Sequence, residues 1–419
     1  MIQSIYSGVS SLQSFQTGID VLANNIANVN TVGFKGSRTE FSNLLERSVS
    51  TSGNAITSMQ SGLGVQVNAT TLDLNKGNLS QSGNGTDLAI SGDDGWFGLS
   101  GPNNEAFFTR AGNFNFDAFK INDTQTDLRL ASEEGYFVTG TLANNTTAGI
   151  LSPVVKTLDL SATASQVPLV FPSELTYPVQ ATTQADFFGN LSIQEPSHVV
   201  TSEVISPQNE RNALRLAFAK SPVQPALGTS WDIVATTQTA DGSTVYDTQS
   251  GVVTFDEIGT MLSSTLGTLD NNGAPVSVNF GAGATGLVSS ERIFTAAGLP
   301  ADGVVRGSLL EYSVDRGGEV ISRFTNGQSS VVGKVAIYHF QNDQGLEAVS
   351  GNKFRASDNS GAPLFYAKDN GEILSFTLES SNVSLDTALT ELIIMQRSYD
   401  AASKTITTGD EMLKNALQM

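Results

Sequence analysis

A chain of 419 residues, 39% hydrophobic and 15% charged, holds enough apolar material for more than one core, which excludes a chain disordered throughout. Its net charge of −19, with no cluster of Lys and Arg, argues against nucleic acid and anionic membranes as partners. The absence of cysteine removes disulfides, thiolate chemistry and cysteine zinc sites.

The first segment reads as a helix with a seam. Ile5, Leu12, Ile19 and Ile26 recur every seven residues. Phe15, Leu22 and Val29 stand three positions further on, with Gly8 the weak member. The run from Ala23 to Gly33, rich in Asn, stops it, because Asn and Gly tolerate the turn conformations that end helices. Met1 to Leu22 has polar residues throughout and no basic start, so a secretory signal is not expected there. No stretch of about 18–20 apolar residues is present to span a bilayer.

The middle is expected to be β. Leu72-Asp73-Leu74, Leu88–Ser91, Trp96–Leu99, Gly135–Gly140 and Val331–Tyr338 are short apolar runs bounded by turn residues. Ser48 to Ser61, rich in Ser and Thr, reads as an extended segment or loop. The runs Ala213–Phe218 and Val276–Phe280, in the part holding most prolines, point to a separate β domain inserted in the first. The last segment again has a heptad seam. Leu385, Leu392, Tyr399, Ile406 and Leu413 are spaced by seven, with Ala388, Met395, Ala402, Gly409 and Ala416 three after each. Ser384 is the expected N-cap and Asp386 complements the helix dipole.

The expected fold class is therefore mixed and mainly β: terminal α-helices pairing as a coiled coil, with two nested β-rich domains between them. The expected division is a terminal helical part at 1–33 and 384–419, a linker region at 34–75 and 365–383, an inner β domain at 76–166 and 289–364, and an inserted outer β domain at 167–288. Neither seam can bury its apolar face alone, and short helices are marginal in isolation. Sticky ends around globular β domains describe an assembly subunit.

The usual catalytic residues are scarce. The two histidines, His198 and His339, lie in different expected domains without ligand-spaced partners and read as surface or strand residues. Gly281–Gly286 matches G-x-G-x-x-G after a strand-like run, but no helix start follows it and no βαβ pattern surrounds it, so it reads as a loop. No carboxylate pair stands out from the acidic background. No catalytic residue, metal site or cofactor is expected.

Two segments carry a resemblance. Leu22-Ala23-Asn24-Asn25-Ile26-Ala27-Asn28-Val29-Asn30-Thr31-Val32-Gly33-Phe34-Lys35 closely resembles the N-terminal signature of the flagellar rod and hook axial proteins. Gln396-Arg397-Ser398-Tyr399, then Ile406 and Asp410-Glu411-Met412-Leu413, resembles their C-terminal signature. Gly77–Gly83, Asp87–Ile90, Phe108–Phe114 and Ser380–Leu385 are also similar to the family, and Gly92-Asp93-Asp94-Gly95-Trp96-Phe97 stands where a Gly-Asp-Gly-Phe-Phe motif is expected.

The resemblance implies a non-enzymatic subunit of the flagellar hook, exported without a cleavable signal through the flagellar type III apparatus. It implies a helical homopolymer outside the cell, neighboured by hook cap, distal rod and hook–filament junction proteins, with no nucleic acid and no membrane insertion. Terminal helices would form an inner tube and β domains the outer layers. The residues expected in polymerisation and inner packing are Ile5, Leu12, Phe15, Ile19, Leu22 and Ile26 with Asn24, Asn25, Asn28, Gly33, Phe34 and Lys35 at the start. At the end they are Leu385, Leu392, Met395, Gln396, Arg397, Tyr399, Ile406, Met412 and Leu413. The Asn cluster, Gln396 and Arg397 either satisfy polar groups between packed helices or serve capping and solvent exposure. A large insert favours hook over rod protein, while the long stretch from Phe41 to Gly62 resembles distal rod proteins and is expected to stiffen a tube. A β-rich glycosidase with two carboxylates in a cleft and a monomeric surface adhesin are the rival classes.

Overall fold

The computed structural model describes residues 2–44, 46–49, 59–62, 64–122, 125–152, 166–365 and 372–418. Two helices hold the ends: α1, Ile2–Ala27, and α2, Leu385–Leu417. Almost everything between them is strand. The heptad periods set the helices, and the absence of Pro from both lets them run without a kink.

After α1 the chain makes a long hairpin. Strand β1 (Ser37–Asn43) is followed by β2 (Glu46–Val49), β3 (Met59–Gly62) and β4 (Val65–Leu72). β1 pairs antiparallel with β4, from Ser37 opposite Leu72 to Asn43 opposite Val65, with an irregularity at Glu40/Phe41. β2 pairs with β3, Val49 opposite Met59. The period-2 alternation Val65, Val67, Ala69 gives β4 one half-buried face, which lies along α1. The stretch read as an extended segment or loop is thus paired at both of its ends; residues 50–58 lie outside the described residues.

Strands within 96–151, 167–177 and 307–365 close a barrel. Its interior is filled by Phe97, Phe114, Leu130, Val138, Leu169, Phe171 and Val320, all at most 2% exposed. At about 1.5–3 kcal/mol per fully buried large apolar side chain, this core is a principal source of stability. The chain leaves the barrel after Thr176–Tyr177 and returns at Gly307–Val314, which pairs with it. Beyond this two-chain stem, where Gln180 bridges Val304, stands a second body. It has an antiparallel meander of five strands from Ser197 to Ser264, and a second sheet in which Gln184–Ser192 runs parallel to both Pro275–Asn279 and Leu287–Ser290. Trp231, Leu214, Leu216, Phe218 and Phe255 fill the space between.

Gly281–Gly286 contains one 3-10 turn, Gly283–Thr285, and leads straight into the strand Leu287–Ser290, so no helix opens behind these glycines. His198 lies on the strand Ser197–Ile205 but is 4% exposed. Its Nε2 is 2.8 Å from the Ser192 carbonyl, and its ring stacks on Phe294 at 4.4 Å. Among the described residues no group of three His, Asp or Glu is placed to hold a metal, and no helix is long and apolar enough to cross a membrane.

Candidate functional site

The helices pair antiparallel. A β-carbon at Gly8 would lie 2.8 Å from Ile406 Cγ1 and 3.5 Å from the Ala402 carbonyl, and one at Gly409 would lie 2.9 Å from Ile5 Cγ1. Further along, Gly18 faces Met395 Sδ at 3.4 Å. Small residues therefore set the helix separation: Gly8, Gly18, Ala388, Ala402 and Gly409 are buried, and the isoleucine of one helix seats on the glycine of the other. Gly8, read as the weak member of its seam, is a point of closest approach.

α1 has a second buried face. Ser14 Oγ donates to the Val65 carbonyl at 3.1 Å, Phe15 meets Phe41 with ring centroids 6.0 Å apart, and a β-carbon at Gly64 would strike Ser10. α1 is held between α2 and the β1–β4 hairpin, whereas α2 packs on one side only. Within the chain the seam residues Ile5, Leu12, Phe15, Ile19, Ile26, Leu392, Met395, Tyr399, Ile406 and Leu413 are half-buried, and Leu22 is 7% exposed.

What the pair leaves uncovered is apolar. Leu385, Leu389 and Ile393, at i, i+4 and i+8 on α2, are 43%, 43% and 52% exposed. Ile394, Met412 and Tyr6 are exposed as well. Between α1, α2 and the start of β1 runs a groove of about 460 Å³, lined by Val21, Leu22, Val383, Ala388 and Met395 among others.

The asparagine cluster does other work than joining the helices. Asn25 is buried and pins the backbone of Ser37, donating to its carbonyl at 2.7 Å and accepting from its N–H at 3.0 Å. Asn28 donates to the Asn24 carbonyl and side chain and accepts from Thr31 Oγ1. These bonds close the end of α1 and turn the chain into β1, because an Asn near a helix end finds free backbone groups locally. Gln396 and Arg397 are exposed on α2. Ser384 does precede α2, but its hydroxyl accepts from Thr387 Oγ1 at 3.2 Å rather than from a backbone N–H.

Gly33, Phe34 and Lys35, expected in polymerisation and inner packing, sit within the chain where the helical part joins the barrel. Gly33 has φ +65°, and a β-carbon there would stand 2.4 Å from Ala111 N. Its N–H donates to the Glu379 carbonyl at 2.7 Å. The Asn382 N–H donates to the Phe34 carbonyl at 3.3 Å. Lys35 is 2% exposed. Its Nζ lies 2.7 Å from Glu379 Oε1 and 2.8 Å from the Asn75 carbonyl. Arg110 Nη1 reaches Glu379 Oε2 at 3.2 Å and the Gly92 carbonyl at 3.1 Å, and Nη2 donates to the Asp93 carbonyl. The Gly77 N–H donates to Glu379 Oε1 at 3.0 Å. Burial holds the Lys35 ammonium below its usual range, against the opposing pull of Glu379. Asn382 completes the junction, accepting from Gly36 N–H at 2.8 Å and donating to the Asp73 and Asn75 carbonyls. Glu379 and Asn382 escape a sequence reading. Asn382 stands in the Ser380–Leu385 motif, whose resemblance assigns it no role, and Glu379 is one of 41 acidic residues.

A groove of about 590 Å³ lies between the turn after α1 and the barrel. Its carboxylates are Glu133 and Glu134, neighbours in sequence, and Glu134 is ion-paired with Lys353. This is not the facing pair that a glycosidase needs.

Comparison with known proteins gives the same two ends. Residues 5–35 match the family model "Flagella basal body rod protein" and residues 375–419 match "Flagellar basal body rod FlgEFG protein C-terminal". Along its full length the chain is 28% identical, over 486 aligned residues, to a flagellar hook protein FlgE of Treponema pallidum, with 100% of both chains covered. It is 27% identical to that of Salmonella typhimurium, covering 99% of this chain and 100% of the relative. A crystal structure of Helicobacter pylori flagellar hook protein FlgE2 superposes with a TM-score of 0.48 at 16% identity, covering 70% of this chain and 98% of that one.

Proposed function

We propose that this chain, which belongs to the flagellar rod and hook family by both of its ends, is a structural subunit of the bacterial flagellar hook. It acts by assembly, as a helical homopolymer in the hook part of the flagellum. The observation that carries this reading is the terminal pair: α1 is covered on two sides, while α2 keeps the apolar stripe Leu385, Leu389 and Ile393 open. Such a stripe, presented identically on every copy, is what a non-closing head-to-tail contact buries.

In this reading the helix pairs pack into an inner tube around a channel, the barrels form the next layer, and the second bodies lie outermost. A tube that bends as it turns needs tight contacts inside and contacts that slide outside, so torque passes along the helices while the outer bodies shift. Hook cap, distal rod and hook–filament junction proteins would meet its ends, and the flagellar export apparatus would deliver the subunits.

A distal-rod role is the second reading, favoured by the long hairpin through β2 and β3. Electron microscopy of the full chain beside a version lacking residues 1–30 and 385–419 tests both. Tubes from the full chain alone support assembly through the ends, with curved tubes indicating hook and straight ones rod. Monomers in both samples, even with a preformed rod tip supplied, would overturn the reading.

A further inference from the structure

We propose that Lys35, Arg110 and Glu379 form a latch that seats the terminal helices on the barrel only when the last part of the chain has arrived. Lys35 lies between α1 and β1, Arg110 follows the barrel strand Ala106–Thr109, and Glu379 ends the strand Thr377–Glu379. The carboxylate is 344 residues from the lysine and 269 from the arginine. All three are at most 2% exposed.

The charges do not balance. Two cations directly share one carboxylate, and the carbonyls of Asn75, Gly92 and Asp93 accept further bonds from Lys35 Nζ and from Arg110 Nη1 and Nη2. Arg110 Nε is buried without a partner. Without Glu379, folding the junction would bury two cations with no carboxylate in direct contact, leaving only the weaker fields of Asp73 at Lys35 and of Asp94 and Asp343 at Arg110, which is unfavourable. The first 110 residues therefore cannot complete this junction alone. The same residue locks the backbone, since its carbonyl accepts from Gly33 and its strand pairs Glu379 with Leu79. One side chain thus ties the exit of α1, the return from β4, the barrel and the entry to α2. A chain whose C-terminal segment is not in place cannot fix the direction of α1, so the paired helices are presented only by a chain that has both ends. This concerns the single chain and stands whether or not the chain polymerises.

Hydrogen exchange on the full chain tests it, comparing wild type with Glu379→Gln, which keeps the shape and removes the charge. The latch predicts that amides at 33–43 and 73–81 lose protection by about a hundredfold or more, while the second body, 184–290, is unchanged. Adding Lys35→Met to Glu379→Gln removes one uncompensated cation and should restore about tenfold of the loss. Unchanged exchange at the junction in Glu379→Gln would overturn the latch. So would an equal loss across the second body, which would make Glu379 a general stabiliser. A double variant exchanging no more slowly than the single one would show that charge is not the cause.

Discussion

Ile406 of α2 is seated on Gly8 of α1, so close that a β-carbon at Gly8 would stand 2.8 Å from Ile406 Cγ1. The reciprocal contact, Ile5 on Gly409, places the second glycine of the seam under the first helix at 2.9 Å. The two pairs fix register and separation together. Gly8→Ala gains helix propensity, about 1 kcal/mol, and loses a similar amount to the tight contact, so it should be close to neutral. Gly8→Leu has no such compensation and should weaken the pair by about 1–3 kcal/mol, seen as faster hydrogen exchange along α1 and as loss of tubes. Tubes of normal yield from Gly8→Leu would show that the intrachain pair is not the assembling form.

The stripe on α2 makes a separable prediction. Leu389 and Ile393 are 43% and 52% exposed, so Leu389→Asp or Ile393→Asp should change the stability of the single chain by only about 0.5 kcal/mol. Either should abolish tube formation if the stripe is the docking face. Leu392→Asp differs, because Leu392 is half-buried in the seam. It should loosen the pair as well as the tube. Sedimentation and circular dichroism of the three variants separate the two effects.

Alkaline pH reports on the buried lysine. Burial lowers the Lys35 pKa from its usual 10.5, with the Glu379 and Asp73 carboxylates opposing and Arg110 reinforcing the shift. The unfolded chain then binds more protons at this site than the folded one between the lowered value and 10.5, so stability rises with pH across that window. The main physical reason is the loss of hydration on burial, with the Arg110 charge adding to it: losing the Lys35 proton removes a buried charge and leaves Arg110 paired with Glu379. Against Lys35→Met, the wild-type junction should therefore gain protection as pH climbs toward 10.5. A flat difference between the two would mean that the ammonium is not disfavoured by its burial.

How much of this was legible beforehand follows the range of the interactions. The seams at Ile5–Ile26 and Leu385–Leu413 depend on local period, and the helices lie where the period put them. The strand runs Trp96–Leu99 and Ala213–Phe218 likewise depend on neighbours and fall within observed strands, and Val276–Phe280 does so up to Asn279. Gly8 was misread because a missing side chain looks like a gap until the opposing isoleucine is known. Pairing at the ends of the Ser48–Ser61 stretch was hidden by its weak apolar pattern. The contacts that Gly33, Phe34 and Lys35 make within the chain are not legible in their signature, since their partners Ala111, Asn382 and Glu379 come from distant parts of the chain.

The two tryptophans divide the molecule, Trp96 on the barrel and Trp231 in the second body. Trp231 is 0% exposed and its Nε1 donates to Ser289 Oγ at 2.9 Å. Trp231→Ala should cost the second body about 3–5 kcal/mol. Trp96 is then the sole fluorophore of its kind and follows the barrel alone. If the stem at Gln180 and Val304 joins two cooperative units, the Trp96 transition stays where it was while far-ultraviolet ellipticity of the second body is lost earlier. A joint shift would make barrel and second body one unit.

The hairpin gives the last prediction. β1 and β4 rest on α1 through Ser14 and Phe41, and β2 pairs with β3 as a further two-stranded ribbon. A two-stranded ribbon is marginal in water unless something covers it. Its extension therefore gains most from a neighbouring subunit, and a contact repeated on every copy along a tube resists bending. Deleting Ser48–Gln60 removes part of both outer strands but none of β1 or β4, so the helix pair and its backing hairpin remain. Tubes should still form, with a shorter persistence length in electron micrographs. Tubes as stiff as those of the full chain would remove the hairpin from the mechanics and weaken the distal-rod reading with it.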